Sequence, residues 1–556
     1  MNPSPFLKSI VLTLGFSLLI SDVSPVSAQT LNWQLRYQQP AAEGSPRFHR
    51  LTRDEQWDPA RTAVIVCDMW DSHHCVNAVR RVAQLAPRID RFCDTLRERG
   101  VTIIHAPSSC MAAYENHPAR ARVSAIPAAV SMPDDIASWC DQIPSEEAAA
   151  YPIDQSDGGE DDDAEDHQLW AERLAAIGRN PRAPWQRQVD VIGIDDQRDF
   201  ISDSGTDIWN ILTHRGIDNV ILVGVHTNMC VLGRPFGLRR LAAAKKNVVL
   251  ARDLTDTMYD HRAWPYASHF TGTDLIVDHI ERYVCPTISS DQVLGDQAFR
   301  FAGDHRVRLL MLVAENEYQT HRTLPAFAAK HLSKHFSVEF AWGSETERHE
   351  IVGIESLADA DALLVSVRRR ALPQRDLDLI RDFVRQGKPV IGIRTASHAF
   401  SLRGEQPPEG KSVWDSFDDD VFGGNYTGHF GNALKTTLRK PGGAIHDPIV
   451  TASGAMNIRP GGSLYKTAPL AKGTRVLVNG SVEGESPEPV AWKFIRNDGG
   501  RSFYTSLGHV DDFGQAEFEA FLSAGIHWAC GLKPHTLAEV KAQNKRYAAG
   551  GGKQRK

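Results

Sequence analysis

Short, continuous apolar runs recur along this chain, and about half of them are followed by a segment with helical spacing. The first clear run is 63–67, Ala-Val-Ile-Val-Cys. A run without polar alternation is what a strand buried on both faces of a parallel sheet requires. Helical apolar spacing follows over 77–99 and is stopped by Gly100. Further strands are expected at 101–104, 189–194, 220–225 and 247–250, with helices at 206–215 and 230–244 between them. The pattern then restarts, with strands at 306–313, 362–367 and 389–393, a helix at 376–386, a late strand at 503–507 and a helix from about 515 to 530. Such alternation predicts an α/β protein of two doubly wound parallel-sheet domains, at 61–298 and 305–535. Residues 29–60 read as a polar, irregular extension, and 536–556 as a basic, disordered tail.

The 556 residues are 42% hydrophobic and 24% charged, the balance of a globular protein rather than a disordered or fibrous one. A formal net charge of −7 leaves no global attraction to nucleic acid. Lys8 precedes an apolar run over 9–20, and Val26-Ser27-Ala28 has the small-x-small pattern of a cleavage site. The expectation is a signal peptide over 1–28 and a secreted or periplasmic mature chain without a membrane span. The apolar run is shorter than the roughly 20 residues a spanning helix needs. Eight cysteines at this length do not make a disulfide framework.

One cysteine stands where chemistry is expected. The segment Gly224-Val225-His226-Thr227-Asn228-Met229-Cys230 lies at a strand-to-helix junction. Open parallel sheets place their sites at the carboxyl ends of strands. A thiol at a helix N-terminus faces free N–H groups that favour the thiolate. Asp68 follows the first strand and falls on the same sheet edge, so it can take the thiol proton and later deliver it to a leaving group.

Residues 61–290 resemble the isochorismatase-like cysteine hydrolases, the superfamily that includes nicotinamidases. The resemblance rests on the strand ending in Asp68, the Gly-Thr-Asp-Ile-Trp run at 205–209, the Gly224-Val225-x-Thr227-x-x-Cys230 segment and Asp253. It implies that Cys230 is a nucleophile and Asp68 a general base and acid. It also implies a cis Val225–His226 bond, with the N–H groups of His226 and Cys230 as the oxyanion hole. The family's lysine at the end of the third strand is missing. Asp195 stands there, and no lysine occurs between Lys8 and Lys245. Arg187 or Arg198 could supply a positive charge, but arginine does not exchange its proton. The site is therefore expected to be Cys230, Asp68 and Arg198. Some nicotinamidases hold a divalent metal here through an aspartate and two histidines. Asp71, His73 and His105 are the candidate ligands, with zinc or iron as the metal.

Residues 305–535 resemble the ThuA-like domain, a relative of the class I glutamine amidotransferases linked to trehalose utilisation. The matching pieces are Glu315-Asn316-Glu317-Tyr318, 389–394, Phe422-Gly423-Gly424-x-Tyr426 with His429, 489–492 and 503–509. The amidotransferase cysteine position is Arg394, in Gly392-Ile393-Arg394, and no cysteine occurs from 286 to 529. Thiol chemistry is excluded there. His398, Tyr426, His429 and His509 are candidates for a sugar-sized binding pocket.

The expected activity is hydrolysis of a C–N amide or similar bond in a small polar substrate, with carbohydrate as a candidate ligand of the second domain and a homo-oligomer as an open possibility. Two alternatives stand beside it. One is a non-catalytic carbohydrate or small-molecule binding protein with degenerate sites. The other is a metal-dependent hydrolase using the histidine cluster.

Overall fold

The structure is a computed structural model and describes Met1, residues 30–444 and residues 446–550. The expected signal peptide and residues 551–556 of the expected tail lie outside the described residues. Among the described residues, no helix is long and apolar enough to cross a membrane.

Two sheets organise the chain. The first is built from β1 (Leu31–Pro40), β2 (Phe48–Trp57), β3 (Thr62–Cys67), β4 (Thr102–Ala106), β5 (Phe200–Ile201), β6 (Asn219–Val225), β7 (Asn247–Asp256) and β8 (Thr287–Ile288), in the order β2-β1-β8-β7-β6-β3-β4-β5. Strands β3 to β8 run parallel. Helices α1 (Val76–Glu98), α2 (Gly205–His214), α3 (Leu238–Ala243) and α4 (His269–Tyr283) cover them. Every residue of β3 is buried, as its unbroken apolar run requires.

The second sheet contains β9 (Val307–Ala314), β10 (Phe336–Gly343), β11 (Ile351–Val352), β12 (Ala362–Val367), β13 (Val390–Ile393), β14 (Thr437–Arg439), β15 (Arg475–Ser481), β16 (Glu488–Ile495) and β17 (Arg501–Thr505). Its order is β11-β10-β9-β12-β13-β17-β16-β15-β14. Strands β10, β9, β12, β13 and β17 run parallel, and β11, β16, β15 and β14 add antiparallel edges. Helices α5 (Thr320–His331), α6 (Gln374–Arg385) and α7 (Ala516–Ala529) pack on it. The α/β class stands, but both sheets are mixed rather than purely parallel.

Three expectations need correction. Residues 31–57 are not irregular: β1 and β2 form a ten-residue antiparallel hairpin that joins the first sheet through β8. Leu31, Trp33 and Leu35 alternate inward, a period of two concealed by the polar residues between them. Residues 189–194 are not a strand, because only Gln188 bridges to Trp70 and the edge of the sheet is the two-residue β5. Residues 537–550 are a helix, α8 (Leu537–Gly550), rather than a disordered tail. Tyr547 packs on Trp264 with ring centroids 4.2 Å apart, and Asn544 donates to Glu519. These tertiary partners order a segment whose composition alone favours disorder.

The β1–β2 hairpin also ties the two halves together. Arg36 bonds Glu281 at 2.7 Å, and Arg50 bonds Asp278 at 2.9 Å and Glu339 at 2.5 Å. Across the same junction, Arg306 pairs with Asp274 at 2.7 Å.

Candidate active site at the carboxyl edge of the first sheet

Strands β3 and β6 are neighbours in parallel register, so Asp68 and His226 leave the sheet side by side. Gly224 sits opposite Cys67 with φ +108°, and a Cβ there would strike the Cys67 carbonyl. Only glycine lets the two strands approach so closely at this point. Asp68 itself takes a left-handed backbone, φ 47°, as acidic residues at functional turns do. The Val225–His226 peptide is cis.

Cys230 follows within a single wide turn, Thr227–Val231, rather than at the start of the long helix expected over 230–244. The next helix, α3, begins only at Leu238. The Cys230 thiol lies beside Asp68 and the His226 backbone, close enough for both to act on its proton. Asp68 is fully buried. Its Oδ1 accepts from the Ser108 backbone N–H at 2.7 Å, and its Oδ2 accepts from Arg234 Nε at 3.0 Å.

Arg234 is the charge that the sequence reading missed. It lies four residues beyond Cys230, and the Arg234 N–H donates to the Cys230 carbonyl at 3.0 Å, so one helical turn brings it back over Asp68. That spacing was the available signal. Arg198 does not serve: its guanidinium is half-exposed and bonds Asp195 at 2.8 Å and Glu98 at 3.0 Å. Arg187 pairs with Asp190 at the surface.

The electrostatics also differ from the expected thiolate. Burial pushes the Cys230 thiol well up, and the Asp68 charge adds to that, against a weaker opposing pull from Arg234. Burial also raises Asp68, while Arg234 and Ser108 draw it back. Burial thus favours the protonated form of both groups, and the Arg234 guanidinium opposes it at Asp68. The cavity beside Asp68, Trp70, His73 and His226 measures about 10 Å³, room for one water. Larger cavities of about 300 to 460 Å³ lie in the cleft between the two halves, away from Cys230.

The expected metal ligands do not converge. Asp71 is held by Arg179 at 2.7 Å and by the Gln186 N–H. His105 is buried with both ring nitrogens occupied, by Gln188 at 3.0 Å and by Asp199 at 3.1 Å. His73 stacks between Trp70 and His74, and its Nδ1 accepts from the Cys75 N–H. Among the described residues, the groups that bring three ligand atoms within 4.8 Å are His335, His527 and His535, and Cys75, Asp161 and Asp162. None of the expected ligands belongs to either group.

In the second half, Arg394 follows β13 with φ 43° and is 3% exposed. Its guanidinium lies 4.2 Å from the Tyr318 ring centre and 4.6 Å from that of Tyr465, and it bonds the Ser506 carbonyl at 2.6 Å. A cation thus fills the turn where an amidotransferase nucleophile would stand. His398 stacks on Tyr426 at 4.6 Å, and Tyr426 Oη bonds His429 Nδ1 at 2.8 Å. A cavity of about 390 Å³ is lined by His398, Tyr426, Arg403, Asn425 and Asp418. His509 stands apart from it, against Tyr318.

The family model described as ThuA, trehalose utilisation, matches residues 308–529. No curated protein matches the chain. Among solved structures, a ThuA-like protein from Parabacteroides merdae is 14% identical over 42% of this chain and 92% of its own, with a TM-score of 0.31. A ThuA-like protein from Bacteroides uniformis is 13% identical over 43% of this chain and 99% of its own, at 0.29. An isochorismatase-family protein from Burkholderia thailandensis is 14% identical over 42% of this chain and 95% of its own, at 0.24. Residues 308–529 thus match the ThuA family model, and they follow an N-terminal α/β half built on the first sheet.

Proposed function

We propose that the chain is an exported thiol hydrolase acting on the C–N amide or a similar bond of a small polar substrate. The observation that carries this reading is the Cys230 thiol set beside a buried Asp68 that pairs with Arg234 at 3.0 Å. Asp68 takes the Sγ proton as sulfur adds to the substrate carbonyl carbon. The N–H groups of His226 and Cys230 receive the resulting oxyanion. Asp68 then passes its proton to the departing amine as the C–N bond breaks. In the second half-reaction, Asp68 deprotonates water, which releases the acid and returns the proton to sulfur. Arg234 exchanges no proton and acts by keeping Asp68 a base. Hydrogen-bonding and aromatic groups around the His398–Tyr426 cavity suit a hydroxyl-rich ligand, and we assign carbohydrate binding to that pocket.

The test is alkylation of Cys230 against pH, mapped by mass spectrometry, in the parent and in Asp68→Asn. The parent is expected to label along a curve that rises as Asp68 ionises, because the carboxylate takes the Sγ proton as sulfur attacks the alkylating agent. Asp68→Asn should label only in alkali. Identical profiles would remove Asp68 as the base and the thiol mechanism with it.

One observation favours a second reading, a binding protein without catalysis. The cavity at Cys230 holds about 10 Å³, against about 390 Å³ beside His398. That reading predicts unreactive Cys230 together with sugar binding that His398→Ala abolishes.

A further inference from the structure

Three histidines meet on the second half, far in sequence from any residue discussed above as catalytic. His335 ends the loop before β10, His527 lies in the last turn of α7, and His535 stands in the turn before α8. Their ligand nitrogens lie within 4.8 Å of one another. His527 Nε2 is 3.3 Å from His335 Nδ1. Zinc–nitrogen bonds of about 2.0–2.1 Å at a tetrahedral angle place two ligand nitrogens roughly 3.3–3.4 Å apart. The observed separation is an edge of that tetrahedron.

The outer contacts point the same way. His527 is 1% exposed, and its Nδ1 lies 2.7 Å from the Ser523 carbonyl. A carbonyl only accepts, so Nδ1 carries the proton and Nε2 presents its lone pair to the other two rings. His535 Nδ1 lies 3.1 Å from Ser523 Oγ, which leaves its Nε2 unengaged by that contact. A ligating imidazole held through its other nitrogen by a carbonyl or hydroxyl is the usual outer arrangement of a zinc site. Burial, then the neighbouring His535, lowers His527 to about 3. Burial, then His335, lowers His535 to about 4. Burial, then Lys334, lowers His335 as well. Glu539 is the nearby carboxylate, and it is engaged by the Thr536 N–H and hydroxyl.

We propose that His335, His527 and His535 form a site for a zinc-class divalent cation that fastens the start of β10, the end of α7 and the segment leading into α8. Three imidazoles leave the fourth position to water. Because the three rings come from separate elements, the ion acts as a cross-link and holds the C-terminal helix on the domain. The second cluster, Cys75 with Asp161 and Asp162, is accounted for without a metal. Asp162 accepts from the Val76 and Asn77 N–H groups at the start of α1, and Asp161 pairs with Arg81 at 2.8 Å.

The test uses the full chain without a polyhistidine tag, dialysed against zinc chloride and, separately, cobalt chloride. One zinc per chain and a tetrahedral cobalt absorption spectrum are expected, together with a higher melting temperature than in the chelated protein. His335→Ala and His535→Ala are expected to weaken zinc binding by at least about 100-fold each. His335 is exposed, so its variant folds even where a change at His527 disturbs the core. Cys75→Ala should leave the stoichiometry at one. A chain that holds less than one zinc, or one whose zinc survives both histidine variants or is lost with Cys75, overturns the proposal and leaves only a ring-to-ring hydrogen bond.

Discussion

Replacing Arg234 with leucine tests the site's electrostatics directly. The change leaves Asp68 fully buried with the Ser108 N–H and the Cys230 thiol as its remaining partners. Two unit charges about 4 Å apart attract by about 4 kcal/mol at an effective dielectric near 20. Arg234 keeps 24% of its side chain exposed, so solvent screens part of that, and deleting the guanidinium returns its own desolvation cost. The expected loss at neutral pH is about 2–3 kcal/mol, below the roughly 3–5 kcal/mol found when a fully buried pair is broken. For a domain of this size that lowers the melting temperature by roughly 5–10 °C. The effect has a definite sign with pH. Burial raises Asp68 in the folded chain, with Arg234 opposing, and removing Arg234 raises it further. Stability linked to a raised carboxylate is fully present below its unfolded value and is lost as pH rises through the folded one. Arg234→Leu should therefore match the parent in acid and fall behind as pH climbs through neutrality. In an Asp68→Asn background, the same substitution should cost little. Differential scanning calorimetry at about pH 4.5 and about pH 8 on all four proteins closes the cycle. An equal loss in both backgrounds, or a loss independent of pH, would refute the account.

Two further perturbations probe the frame around the site. Glu146 is raised by burial but held down to about 2 by His279 and Arg239, which bond it at 2.8 Å each. Its contribution is present above the unfolded carboxylate value of about 4.3 and is lost as pH falls toward the folded one. Glu146→Gln should cost about 3 kcal/mol at neutral pH in urea unfolding, and the gap should close in acid. Tyr547→Ala removes the ring that packs on Trp264. It should cost about 2 kcal/mol and make the α8 segment cleavable in limited proteolysis while the two sheets stay intact. An unchanged digestion pattern would mean that Tyr547 does not fasten the helix.

Much of this architecture was legible in the residues themselves. Strands buried on both faces must be unbroken apolar runs, so 63–67, 220–225 and 362–367 could be placed within a residue or two of β3, β6 and β12. Cys230 and Asp68 were legible for the same reason, since parallel strands deliver the residues that follow them to one edge. The β1–β2 hairpin was legible in principle from the inward alternation of Leu31, Trp33 and Leu35, but the polar residues between them disguised it. The acidic stretch at 154–166 gave no sign that Asp162 caps α1 while Asp161 clamps Arg81.

The residues alone determined the class of the fold, because periodicity and burial are local consequences of side-chain type. They also gave Arg394 as the residue at the position where the resemblance would place a second thiol. Only the tertiary structure decided which charges meet. Arg234 rather than Arg198 holds Asp68, since one turn of chain after Cys230 aims it inward while Arg198 is drawn to Glu98 and Asp195 at the surface. Burial also pushes the Cys230 thiol up, away from the expected thiolate, an effect of desolvation that no spacing encodes. The meeting of His335, His527 and His535 is likewise a product of packing, because each comes from a different element and only the folded domain brings their nitrogens together.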